Sequence, residues 1–168
     1  MVEHDGFREF AALVGATGDR VEEGVRDEHV RHAVYLEALA AAGPGADVAL
    51  IGRVLDDPDR VVAEASVVRH VDRVAAGAGA GFGAWADAVR QVVGERAFPL
   101  ARIEEWRLFL AVRDGEAVDG GRLVAASDWL QRKVVEELAV PAALEALAEG
   151  GRTKRVRNQA RNKLGKRR

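Results

Sequence analysis

The chain contains no cysteine. That excludes disulfide staples and thiolate metal centres and leaves the redox compartment open. Aromatic residues make up only 5% of it, with one Tyr, five Phe and three Trp. So few aromatics beside abundant Ala, Val, Leu, Glu and Arg favour helix over sheet. No run approaches the roughly 18 consecutive apolar residues that a membrane span needs. The N-terminal Met1-Val2-Glu3-His4-Asp5 lacks the basic and apolar regions of a secretory leader. A soluble, cytoplasmic protein with no membrane partner is the expectation.

What remains is a chain of 168 residues, by length one domain able to bury a core of its own. No period-two alternation is long enough for a strand. Helical spacing recurs instead. It predicts helices over residues 6–14, 21–42, 47–55, from the Pro58 turn to about 76, 85–93, from Pro99 onward, 123–126, 128–138, 141–149 and 153–164. Gly24 is a candidate break in the long second helix. Gly43-Pro44-Gly45, Asp56-Asp57-Pro58-Asp59 and Gly150-Gly151 supply stop and turn signals between helices. About nine or ten helices joined by short loops predict an all-α domain of antiparallel helix pairs.

The charge is unevenly spread. Residues 151–168 hold nine Lys or Arg and no Asp or Glu, while residues 1–150 hold 16 basic and 27 acidic residues, a formal −11 against −2 for the whole chain. Such asymmetry points to an interaction segment. Two units follow from it: a helical body over residues 1–150, and a basic terminal helix and tail over residues 151–168 docked on that body.

Four helix starts share a pattern: Val30-Arg31-His32-Ala33-Val34, Val61-Val62-Ala63-Glu64-Ala65, Leu130-Gln131-Arg132-Lys133-Val134 and Val156-Arg157-Asn158-Gln159-Ala160. They are spaced by 31, 69 and 26 residues, and self-similarity on this scale suggests stacked helical repeats. Residues 47–71 read as a helix, an Asp-Pro-Asp turn and a second helix, and this segment resembles a HEAT repeat. Residues 128–164 are similar to HEAT repeats or to the leucine-rich-repeat variant. Together the two cover about 60 of the 168 residues, and residues 77–126 depart from the pattern. The resemblance implies a short HEAT-like α-solenoid, a stack of helix pairs with a concave face for a partner. The heavy use of Ala, Val, Arg, Gly and Asp resembles that of proteins from GC-rich bacteria such as actinobacteria.

Candidate sites are few. On the terminal helix Val156, Ala160 and Leu164 share one face and are expected to dock. Arg152, Lys154, Arg155, Arg157, Arg161 and Lys163 are expected to project outward as a binding surface for a partner or for nucleic acid, through salt-sensitive phosphate contacts. Two blander readings are a basic helix end favoured by the helix dipole and a tail folded onto the acidic body. His29 and His32, with Glu28, have the spacing of ligands on one helix face, but His4 and His70 are the only other histidines, and a metal site needs three or four converging groups. The glycine-rich residues 77–83 follow a helix and lack the Lys-Ser/Thr of a phosphate loop. Trp85 with Asp87, Trp106 after Glu104-Glu105, and Asp128-Trp129 invite comparison with HEAT-like DNA glycosylases; core anchoring is the plainer role of these aromatics. No catalytic, metal or cofactor-binding residue is assigned. The expected function is a non-enzymatic scaffold binding a protein partner, with nucleic-acid binding through residues 152–168 second and a glycosylase-type enzyme third.

Overall fold

The computed structural model describes residues 5–43, 45–78 and 81–166. Among them the chain is all-helical, with eleven helices and no strand. They are α1 (Asp5–Leu13), α2 (Asp19–Arg26), α3 (Glu28–Ala41), α4 (Ala46–Leu55), α5 (Arg60–Gly77), α6 (Phe82–Val93), α7 (Ala97–Arg113), α8 (Gly120–Ala125), α9 (Asp128–Glu137), α10 (Pro141–Gly150) and α11 (Lys154–Gly165).

The expected helix over residues 21–42 is two helices. The break falls at Asp27, not at Gly24. Asp27 is extended, and its carboxylate accepts a hydrogen bond from the His29 amide at 2.8 Å, so it caps α3 while ending α2. Gly24 lies inside α2 and is buried for a different reason: a Cβ there would come within 2.6 Å of the Phe7 ring.

The chain divides into two compact units, the first ending at Ile103 and the second beginning at Glu104, inside α7. The change of charge at residues 150–151 is thus internal to the second unit. In the first, α3 packs on α2, α4 and α5, and α4 packs on α5 and α6. Phe7 and Phe10 meet Tyr35 edge-on at 5.7 and 4.8 Å, above a core that includes Leu39, Ile51, Val54, Val67 and Val71. Arg31, only 3% exposed, lies among these apolar groups. A buried charge is tolerable only when paired. Its Nη1 donates to the Gly24 carbonyl at 2.8 Å, Nη2 meets Asp59 at 3.0 Å, and Nε lies 3.2 Å from Asp57. Asp57 also accepts the Tyr35 hydroxyl at 2.5 Å. Burial, and then the Asp57 carboxylate beside it, push the Tyr35 phenol far above its ordinary range.

In the second unit α10 packs on α8, α9 and α11, and α11 also packs on α9. Leu123, Leu130, Val134, Leu144, Leu147 and Val156 form its core. Gln131 is fully buried within that apolar set. Its Nε2 donates to the carbonyls of Leu123, Val124 and Ala126 at 2.9, 2.8 and 3.3 Å, and its Oε1 accepts the Arg152 amide at 2.8 Å. One side chain thus closes the end of α8 and holds the approach to α11. Gln131→Leu strands these backbone groups. It is expected to lower unfolding stability by about 1–3 kcal/mol, read by urea denaturation, and to loosen α11, read as faster amide exchange there.

Candidate interaction surface

The terminal helix is built from α10 outward. Gly151 ends α10 in a buried position where a Cβ would lie 2.6 Å from the Leu147 carbonyl oxygen and 2.9 Å from Val156, so this close approach requires glycine. Thr153 then caps α11, its hydroxyl accepting the Val156 amide at 3.2 Å. Val156 and Ala160 are fully buried and Leu164 is half-buried.

The six cations expected to project outward divide into two groups. Arg157 donates to the Gly151 carbonyl at 2.6 Å, and Lys163 donates to the carbonyls of Glu136 and Leu138 at 2.9 Å each. Both are half-buried and serve to close helix ends. Arg152, Lys154, Arg155 and Arg161 are exposed, and none of the four pairs with a carboxylate among the described residues. Arg161 touches only the Asn158 amide oxygen, at 3.3 Å. At about 100° per residue, Lys154, Arg155, Asn158, Arg161 and Asn162 lie opposite Val156 and Ala160. The outer face of α11 is therefore cations and amides, with Lys166 following.

These placements bear on the blander readings. Only Lys163 occupies the last turn of α11, where the helix dipole favours a cation. Lys154 and Arg155 occupy the first turn, at the positive end, where a cation is disfavoured. Dipole stabilisation does not account for them, and among the described residues none of the four exposed cations pairs with a carboxylate.

The remaining flagged residues are dispersed. His29 and Glu28 are exposed, while the His32 Nδ1 lies 2.7 Å from the Ser66 hydroxyl; His4 lies outside the described residues. No cluster of three metal-ligating side chains occurs among the described residues. In the glycine-rich stretch, Gly77 ends α5 and Gly81 precedes α6; residues 79 and 80 lie outside the described set. Trp85 donates its indole N–H to Asp47 at 2.8 Å. Trp106 is buried edge-on to Phe109 and Trp129, at 5.4 and 5.7 Å, with the Lys133 ammonium 4.6 Å from its ring. That ammonium also pairs with Glu137 at 2.6 Å. Trp85 belongs to the first unit and the other two tryptophans to the second.

His70 is the polar centre that sequence reasoning missed. It is 1% exposed, with Nε2 3.0 Å from Asp47 and Nδ1 3.1 Å from the Arg73 guanidinium. Arginine only donates, so Nδ1 accepts, and Nε2 carries the proton given to Asp47. The only sequence signal was a lone histidine among the valines of α5. Burial, helped by Arg73 and opposed by Asp47, pulls the His70 pKa below the ordinary histidine value. Burial works against ionised Asp47, but hydrogen bonds from His70 and Trp85 outweigh it and hold the carboxyl below its usual range.

Comparison with protein-family models, with curated proteins and with solved structures returns no match. What can be assigned from structure is therefore the class, an all-helical chain with a carboxylate-free basic face.

With the folded His70 pKa lowered, the unfolded chain takes up a proton first as pH falls. Stability from this group is complete above the unfolded value of about 6.5 and declines as pH drops below it. His32, also lowered by burial and then by Arg69, adds the same sign. The Asp47 contribution is lost only at lower pH, below the carboxylate range. Urea midpoints should fall between pH 7.5 and pH 5.5, and His70→Gln should reduce that fall while lowering stability at both values.

Proposed function

We propose that this protein is a non-enzymatic interaction module that binds the phosphate backbone of nucleic acid through the outer face of α11. The supporting observation is the set of four exposed cations, Arg152, Lys154, Arg155 and Arg161, that meet no carboxylate among the described residues. Two of them lie where the helix dipole disfavours cations. An unneutralised row of Lys and Arg gains by releasing counterions from a polyanion. Exposed Asn158 and Asn162 between the cations add neutral donors suited to phosphate and sugar oxygens. This arrangement moves nucleic acid ahead of the protein partner expected from sequence. An acidic protein surface is the alternative occupant of the same face.

The helical frame in this reading is a short HEAT-like solenoid. Its support is that, with the exception of α1 on α4, the main helix contacts join neighbours or next neighbours in sequence, the connectivity of stacked repeats.

The test is fluorescence anisotropy with mixed-sequence duplex DNA and with RNA. Four phosphate contacts predict that affinity falls roughly 50- to 150-fold between about 50 and 200 mM salt. The set Lys154→Glu, Arg155→Glu, Arg161→Glu should abolish binding at the lower salt. Acidic residues in the first turn suit the dipole, so circular dichroism should show α11 intact. Absence of binding at the lower salt, or binding indifferent to the three reversals, rejects the nucleic-acid reading and leaves the acidic protein surface.

A further inference from the structure

A separate feature lies in the first unit. A groove of about 480 Å³ runs between α3 and α5, with Leu36 and Ala40 on one side and Arg69, His70 and Arg73 on the other. Its size is that of a small-molecule cleft, and its mixture of an apolar wall with a few polar groups is typical of one. Glu37 and Asp72 also border it, but each meets an arginine from another helix. Glu37 pairs with Arg20 at 2.5 Å, and Asp72 pairs with Arg102 at 3.2 Å.

Among the described residues the groove arginines have no such counter-ion. Arg69 is exposed, with no partner among the described residues. Arg73 gives Nη2 to two neutral acceptors, the Leu39 carbonyl at 3.2 Å and the His70 Nδ1 at 3.1 Å. Counting the four arginines against these two carboxylates and the ionised Asp47 behind His70 leaves one positive charge. Arg69 and Arg73 are one helical turn apart, a spacing at which like charges repel, so an anion between them relieves a real cost. The end carbonyls of α3 would repel an anion, and Arg73 covers the one at Leu39. The field is felt locally: next to burial, Arg69 lowers the pKa of His32, and Arg73 contributes to lowering that of His70.

We propose that the α3–α5 groove binds a small amphipathic oxyanion, its carboxylate or phosphate-monoester head held by Arg69 and Arg73 and its short aliphatic body lying along Leu36 and Ala40. The guanidinium fork suits either head, because both present paired oxygens. The apolar wall requires that the head carry a body, which separates this ligand from free phosphate. The site is independent of the α11 surface.

The test titrates the full chain with octanoate and with octyl phosphate, followed by amide chemical shifts. Saturable shifts confined to α3 and α5, from either probe, are expected. Octanol and inorganic phosphate, each lacking half of the ligand, should bind at least about tenfold more weakly, as each forfeits one set of contacts. The stronger of the two octyl compounds identifies the head. Arg69→Gln should weaken binding about tenfold without lowering the melting temperature, since Arg69 holds no other group among the described residues and its removal relieves the repulsion with Arg73. The triple reversal on α11 should leave octanoate binding as it was. No saturable shift at millimolar probe, insensitivity to Arg69→Gln, or loss of binding with the α11 reversals would each overturn the proposal.

Discussion

The eleven helices of the described residues create many helix ends, and the structure depends on satisfying the carbonyl groups those ends leave open. The last turn of a helix has acceptors without intrahelical donors, and a buried acceptor without a partner is expensive. The solution recurs through the fold: a long polar side chain from another element reaches into the carbonyls. Arg31 reaches Gly24, Arg73 reaches Leu39, and Arg96 reaches Leu55 and Val93. In the second unit Gln131 closes α8, Lys163 closes α9, and Arg157 takes the Gly151 carbonyl after α10. At the opposite ends, the first turns of α3, α5, α8, α9 and α11 are capped locally by Asp27, Asp59, Asp119, Ser127 and Thr153, each accepting from a first-turn amide.

This constraint sorts the cations. An arginine or lysine bound to helix carbonyls is part of the fold, and its removal is a stability change. An arginine or lysine with neither a carbonyl nor a carboxylate is available to something else. On α11 and in the turn before it, that distinction separates Arg157 and Lys163 from Arg152, Lys154, Arg155 and Arg161. On α5 it leaves Arg69 free beside Arg73, which is committed by one nitrogen only. Both proposed surfaces arise from the same ledger of donors and acceptors, applied to two different helices.

The two surfaces differ in what surrounds them. The α11 face is polar throughout and open to solvent, which suits a long polyanion held by many weak, salt-sensitive contacts. The α3–α5 groove is bordered by apolar side chains and carboxylates already paired, which suits a small ligand held by a charged head and a greasy body. The acidic surplus of residues 1–150 disfavours polyanion contact over much of the remaining chain, so in the proposed function charge both directs encounter to α11 and limits the footprint.

Much of the helical plan was legible in the chain itself. The helical spacing over residues 47–55, the Pro58 turn and the paired glycines Gly150 and Gly151 before Arg152 mark helix limits through local backbone chemistry, which sequence encodes directly. So does the all-α class, and so does the run of cations from Arg152 onward. The break at Asp27 was not legible within the expected helix over residues 21–42, because a helix cap and a solvated acidic residue look alike until the next amide is in place. The free or committed state of each cation was not legible, since it depends on carbonyls up to 41 residues away, as with Arg96 and Leu55. The neutral state of His70 and the groove beside it were equally hidden, because Asp47, Trp85 and Arg73 are brought together only when α4, α5 and α6 pack. Sequence alone determined which segments become helices and where charge accumulates; tertiary structure decided which charges remain unspent, because that is a property of distances between helices.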